Sequence, residues 1–142
     1  MQNRIDNTNT HKLLLMHGIK PSLQRIAVMD YLLKHYTHPT ADEIYLALLV
    51  SIPTLSKTTI YNTLKLFSEQ KVIRMLTIDE KNVCFDAGIL PHAHFLCKKC
   101  GKIYDITIEE QSVDEPREFV NTDGHKITEM HYYYKGICKN CV

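Results

Sequence analysis

The stretch His92–Asp105, HAHFLCKKCGKIYD, holds two histidines, a CxxC pair, a glycine at the turn and an aspartate in one short run. Outside the CKKCG knuckle the run alternates as a strand does, and successive side chains of a strand face opposite ways. His92 and His94 therefore share one face, and Phe95 and Cys97 share the other. Folding back at the knuckle so that Cys97 lies near Lys102 sets His94 opposite Asp105. Opposed residues of an antiparallel pair have Cβ atoms about 5 Å apart, close enough to share a cation, whereas a slip of one residue turns Asp105 to the wrong face. The hairpin thus predicts two metal sites, back to back.

Cysteine usage supports the first of them. The cysteines are Cys84, Cys97, Cys100, Cys138 and Cys141, and the last four form two CxxC knuckles. The chain opens MQNRIDNTNTHKLLLM, without a secretory signal, and its longest later apolar run, Leu46–Val50, is far too short to cross a membrane. A cytoplasmic protein with no membrane segment is expected, in which paired CxxC reads as thiolate metal binding rather than a disulfide framework. Cys97, Cys100, Cys138 and Cys141 are the expected ligands of one tetrahedral structural Zn²⁺. Cys84 is left as a buried strand thiol. The second site has no sulfur: His92, His94 and Asp105, joined by Asp86 and His38, suit Fe²⁺, Mn²⁺, Zn²⁺ or Ni²⁺ and discriminate poorly among them.

Upstream of the hairpin the pattern is helical. Residues 9–17 read as a short helix ending at Gly18, and Ser22 caps a second from Leu23 to about His35, with Leu23, Ile26, Ala27, Tyr31 and Leu33 or Lys34 following helical spacing imperfectly. Lys20, Gln24 and Arg25 stand at its polar entrance, which reads by itself as a solvated helix start and, in a nucleic-acid binder, as a place for phosphate contacts. The tetrad Thr40-Ala41-Asp42-Glu43 is a capping box opening a third helix to about Leu49. Ser56 caps a fourth from Lys57 to about Gln70. Its core face is Ile60, Leu64 and Phe67; another face carries Lys57, Tyr61 and Lys65 with Thr58 and Asn62 beside them, which offers cations for phosphates, an amide for base edges and a ring for thymine methyls. The strand runs Val72–Ile78 and Asn82–Phe85 then make a two-stranded wing.

From Val83 onward the composition shifts to strands, histidines and cysteines. The expected organisation is α+β: a winged helix-turn-helix DNA-binding domain over residues 1–86, then a small α/β dimerisation domain with a four-cysteine zinc site over residues 87–142. In the second domain Ile103–Ile108 is an expected strand, residues 109–120 a weak helix interrupted at Pro116, and residues 126–137 a last strand. So small a core calls for a second copy of the chain, hence a homodimer. Net charge is only +1, so any nucleic-acid contact must come from local placement of charge.

The segments HPTADEIY (38–45), TTIYNTL (58–64), HAHFLCKKCGKIYD (92–105) and the terminal CKNC together resemble the ferric uptake regulator superfamily across nearly the whole chain. The resemblance implies a homodimer of winged-helix domains that binds palindromic double-stranded operator DNA when a regulatory metal is loaded. His38, Asp86, His92, His94 and Asp105 would be the regulatory ligands, for Fe²⁺ or Mn²⁺, and the four CxxC cysteines the structural zinc ligands. The chain looks most like the peroxide-sensing members, because Asp105 stands where iron-responsive members usually carry glutamate. By that likeness, Fe²⁺-catalysed oxidation of His38 or His92 would release the DNA, while Mn²⁺ would give a peroxide-insensitive repressor. The chain departs from the family's pattern at residues 109–123, less helical than the usual dimerisation helix, and at Met130, where many members keep a histidine; His125 and His131 are assigned to no third site. An iron-responsive repressor without peroxide sensing is the nearest alternative. A CxxC thiol redox protein or a non-haem iron oxygenase would be readings of another class; the expectation is a regulator and not an enzyme.

Overall fold

Four helices come first, and each begins or ends where local chemistry satisfies its terminal backbone groups. Helix α1, Asn7–Met16, ends at Gly18, whose φ of 71° is open to glycine and costly to other residues. The turn lets the Ile19 N–H reach the Leu14 carbonyl at 2.9 Å and the Gly18 N–H reach Leu15 at 3.0 Å, and both Leu14 and Ile19 are buried. Thr10, buried in α1, donates its hydroxyl to Asp30 of helix α2, Leu23–Lys34. Ser22 Oγ caps α2 by accepting from the Arg25 N–H at 3.2 Å. Helix α3, Ala41–Leu49, has the expected reciprocal box: Glu43 N–H donates to Thr40 Oγ1 at 3.2 Å and Thr40 N–H to Glu43 Oε2 at 3.3 Å. Helix α4, Lys57–Glu69, is capped by Ser56, which accepts from the Thr59 N–H at 3.1 Å.

The helices bury one cluster that includes Val28, Met29, Leu32, Ile44, Ile60, Leu64 and Phe67. The α4 core stripe is the expected one. The α2 stripe is so only in part: Val28, Met29, Leu32 and Leu33 are buried, with Ile26 and Tyr31 packed half-buried beside them, while Leu23 is 77% exposed. Those four lie at i, i+1, i+4 and i+5, the widest continuous apolar strip α2 offers, and it outweighs a lone leucine at the helix entrance.

The structure describes residues 7–35, 37–87, 92–107, 123–126 and 131–142, and the chain of this computed structural model divides into two units, Met1–Ile89 and Leu90–Val142. In the first unit the helices are followed by strands β1, Arg74–Leu76, and β2, Cys84–Asp86, paired antiparallel with Met75 opposite Phe85. The ladder is shorter than the two sequence runs because the chain leaves it early for a turn in which Asp79 Oδ1 accepts from the Lys81 N–H at 2.9 Å. The far edge of β2 is also used: Thr40 bridges Cys84, and the Phe85 N–H donates to the Pro39 carbonyl at 2.9 Å.

In the second unit β3, His92–Cys97, is the central strand of three, antiparallel to β4, Ile103–Thr107, and parallel to β5, Tyr133–Gly136. The β3–β4 register is the expected one, with His94 opposite Asp105 and the Cys97 N–H bonded to the Lys102 carbonyl at 3.0 Å. The last strand is shorter than the expected 126–137. It pairs from Tyr133, opposite His94, to Gly136, opposite Cys97, and stops where β3 itself turns into its knuckle and offers no further backbone. Residues 108–120, which include the expected weak helix, and residues 127–130 lie outside the described residues.

Candidate metal centres and nucleic-acid interface

The two knuckles of the second unit bring Cys97, Cys100, Cys138 and Cys141 together, with all four Sγ atoms within 4.8 Å of one another. Gly101, at φ 76°, closes the first knuckle, its N–H bonded to the Cys97 carbonyl at 2.9 Å. Cys100 Sγ and Cys138 Sγ are 3.8 Å apart, and a tetrahedron with Zn–S of about 2.3 Å has edges of about 3.8 Å. That pair is at tetrahedral spacing, and the four-thiol donor set suits zinc. Backbone N–H groups of Cys100 and Cys138 donate to Cys97 Sγ at 3.4 and 3.3 Å and draw its thiol down to about 6. The Tyr104 hydroxyl, hydrogen-bonded to Cys138, lowers that thiol as well. Cys141, which shares protons with the neighbouring thiols, Cys138 first, is pushed up to about 12. Cys84 stands apart, buried in β2, its thiol raised to about 11 chiefly by burial.

Each unit also holds one imidazole beside one carboxylate. In the first, the bridge between Thr40 and Cys84, continued two residues along the same antiparallel pairing, sets His38 opposite Asp86. Both side chains are buried, and their ligand atoms lie within 4.8 Å. His38 adopts φ 56°, a left-handed conformation in which histidine is enriched but which still costs free energy; the Pro39 carbonyl held by Phe85 keeps it there. In the second unit His94 Nε2 lies 3.4 Å from Asp105 Oδ1, with His94 buried. His92 occupies its expected strand position, opposite Thr107, but its side chain lies outside the described residues. The donors are nitrogen and oxygen only, which suits Fe²⁺, Mn²⁺ or Zn²⁺.

On α4 the side chains of Lys57, Thr58, Tyr61, Asn62 and Lys65 are all exposed, with Tyr61 at 52%. Lys20 is exposed and Arg25 half-buried before and within α2, where Arg25 Nη1 donates to the Lys20 carbonyl at 2.8 Å. A polar cleft of about 310 Å³ lined by Ser22, Gln24, Arg25, Thr59, Asn62 and Thr63 joins the two helices. Among the described residues no helix is long and apolar enough to cross a membrane.

A family model described as the ferric uptake regulator family matches residues 16–135. The chain belongs to that family. Its relatives include the peroxide-responsive repressor PerR of Staphylococcus epidermidis, 36% identical over 87% of this chain and 82% of that protein. Among solved structures, the Campylobacter jejuni peroxide stress regulator is 26% identical with a TM-score of 0.70, over 92% of this chain and 94% of that one. The Helicobacter pylori ferric uptake regulator Fur is 23% identical with a TM-score of 0.78, over 99% of this chain and 97% of that one, and shows the shared fold. As a family member the chain is a metal-dependent regulator and not an enzyme.

Two residues at these sites carry no signal in the linear sequence. Tyr104 reads as an ordinary strand tyrosine until β4 sets its hydroxyl against Cys138. Asp42 reads only as part of the capping tetrad, yet its carboxylate meets Tyr61 and Lys57 from the neighbouring helix. Neither contact follows a helical or strand period, so only the tertiary fold reveals it.

Proposed function

We infer that this regulator is a homodimeric, DNA-binding transcriptional repressor of the cytoplasm that releases its operator on exposure to peroxide. Residues 1–86 are read as the winged-helix DNA-binding domain and residues 87–142 as the dimerisation domain. The observation that carries the reading is that each unit presents one buried imidazole beside one carboxylate, His38 with Asp86 and His94 with Asp105. Neither pair by itself completes the coordination of an ion. A single Fe²⁺ or Mn²⁺ taking both pairs, with His92, fixes the angle between the units, while Zn²⁺ in the four-cysteine cluster is structural. Fixing that angle in both protomers sets two α4 helices at the spacing of successive major-groove half-sites, as a palindrome requires. Lys20, Arg25, Lys57 and Lys65 then neutralise phosphates, and Thr58, Tyr61 and Asn62 meet the bases.

The likeness to peroxide-responsive repressors and the aspartate at position 105 favour sensing by histidine oxidation. Fe²⁺, when bound, supplies redox chemistry toward hydrogen peroxide that Mn²⁺ does not. The imidazole of His38 or His92 gains one oxygen atom at a ring C–H, the other oxygen leaves as water, and the altered ring is a poorer donor. The test is mass spectrometry of His38 and His92 peptides from Fe²⁺- and Mn²⁺-loaded protein after peroxide, with duplex binding followed in parallel. One added oxygen and loss of DNA binding with iron alone are expected. Unmodified histidines with iron present would leave an iron-responsive repressor instead.

A further inference from the structure

Asp42 sits in the first turn of α3 and contributes nothing to the capping box, which uses Thr40 and Glu43. Its carboxylate faces α4. Asp42 Oδ1 accepts the Tyr61 hydroxyl at 3.2 Å and lies 3.8 Å from Lys57 Nζ, while the same ammonium lies 5.7 Å from the centre of the Tyr45 ring. The aspartate and the lysine are both largely solvent-exposed. Asp42 opens with Tyr61, Asn62 and Lys65 on a cleft of about 750 Å³ beside Met75 and Val83 of the hairpin. On the reading that α4 enters the major groove, an acidic side chain on this face is unexpected, because DNA phosphates repel it.

We propose that Asp42 is a positioning and specificity residue of the DNA-reading face, its carboxylate occupying Lys57 as a phosphate would and holding the Tyr61 ring in one orientation. The two roles act in opposite directions on affinity. Random duplex offers Lys57 little beyond phosphate and must compete with a carboxylate already in place. A cognate duplex also offers the bases that a fixed Tyr61 ring meets, and so regains what the competition costs. Discrimination of this kind is built by penalising the wrong partner as much as by rewarding the right one.

The proposal rests on the proposed DNA-reading role of α4, and the variants are chosen to separate the two. The probes are a duplex selected from a randomised library by the Mn²⁺-loaded full chain, and a shuffled duplex of the same composition. Asp42→Asn keeps an acceptor for Tyr61 but loses the charge; it should bind shuffled duplex about two- to fivefold more tightly, the range expected for releasing an exposed ion pair. Its affinity for shuffled duplex should also fall more steeply with salt, by up to about one counterion. Asp42→Ala should show the same gain on shuffled duplex but bind the selected duplex several-fold more weakly than Asp42→Asn does, because the Tyr61 ring is no longer held. Tyr61→Phe should reproduce only that second loss, and adding it to Asp42→Ala should cost nothing further. Shuffled-duplex affinity and salt slope unchanged in Asp42→Asn would overturn the proposal while leaving the α4 reading intact. Lys57→Ala and Tyr61→Ala without effect on the selected duplex would overturn both.

Discussion

His38 is a buried histidine that precedes a proline and holds a positive φ, a conformation the surrounding backbone must impose. A side chain so placed is pre-oriented, as a metal ligand would need to be. His38→Ala should weaken Fe²⁺ and Mn²⁺ binding by at least the roughly 10- to 100-fold that losing an outer-sphere partner costs, as read by calorimetry, and leave the zinc content unchanged. Cys84 gives a contrasting prediction. Its thiol is raised from 9.0 to about 11 by burial, so the folded chain holds the proton more tightly than the unfolded one. Its contribution to stability is complete below pH 9 and is lost as pH rises through about 11. Alkylation at neutral pH should therefore spare Cys84 in the native protein and modify it after unfolding. The donor clusters are legible in the sequence because metal-binding residue types are few and their spacing is short. His38 and Asp86 are harder to pair from sequence, since their encounter depends on the pairing of the 39–40 loop with β2.

Elements are legible where an end signal and a periodic face coincide. Ser22, Thr40 and Ser56 each cap the helix expected of them, and the β3–β4 register follows from a single constraint, the knuckle. The phase of α2 and the length of β5 are not legible, because the first depends on which stripe the neighbouring helices accept and the second on where β3 ends. Two substitutions test the element-level account. Thr40→Ala removes the hydroxyl half of the box and should cost about 1 kcal/mol by urea denaturation. It should leave regulatory-metal binding unchanged, because Thr40 bridges Cys84 through backbone groups that the substitution keeps. Phe67→Ala, in the fully buried stripe of α4, should cost about 3–5 kcal/mol.

At the scale of the whole molecule the two donor clusters differ in what they join. The four-cysteine cluster ties Cys138 and Cys141 at the chain's end to the β3–β4 knuckle, so Cys100→Ser or prolonged chelation should release the zinc and unfold the second unit, seen as loss of its thermal transition. The His and Asp pairs are divided between the units and, in this account, act on their arrangement and through it on DNA. The most direct measurement is the affinity of the zinc-containing full chain for a duplex selected from a random library, with and without Mn²⁺. If a shared ion couples the two units, Mn²⁺ tightens binding within the roughly 5- to 150-fold range typical of coupled sites, and Asp105→Ala or His38→Ala abolishes the gain. Equal affinity of the metal-free and metal-loaded chains for that duplex would contradict that coupling.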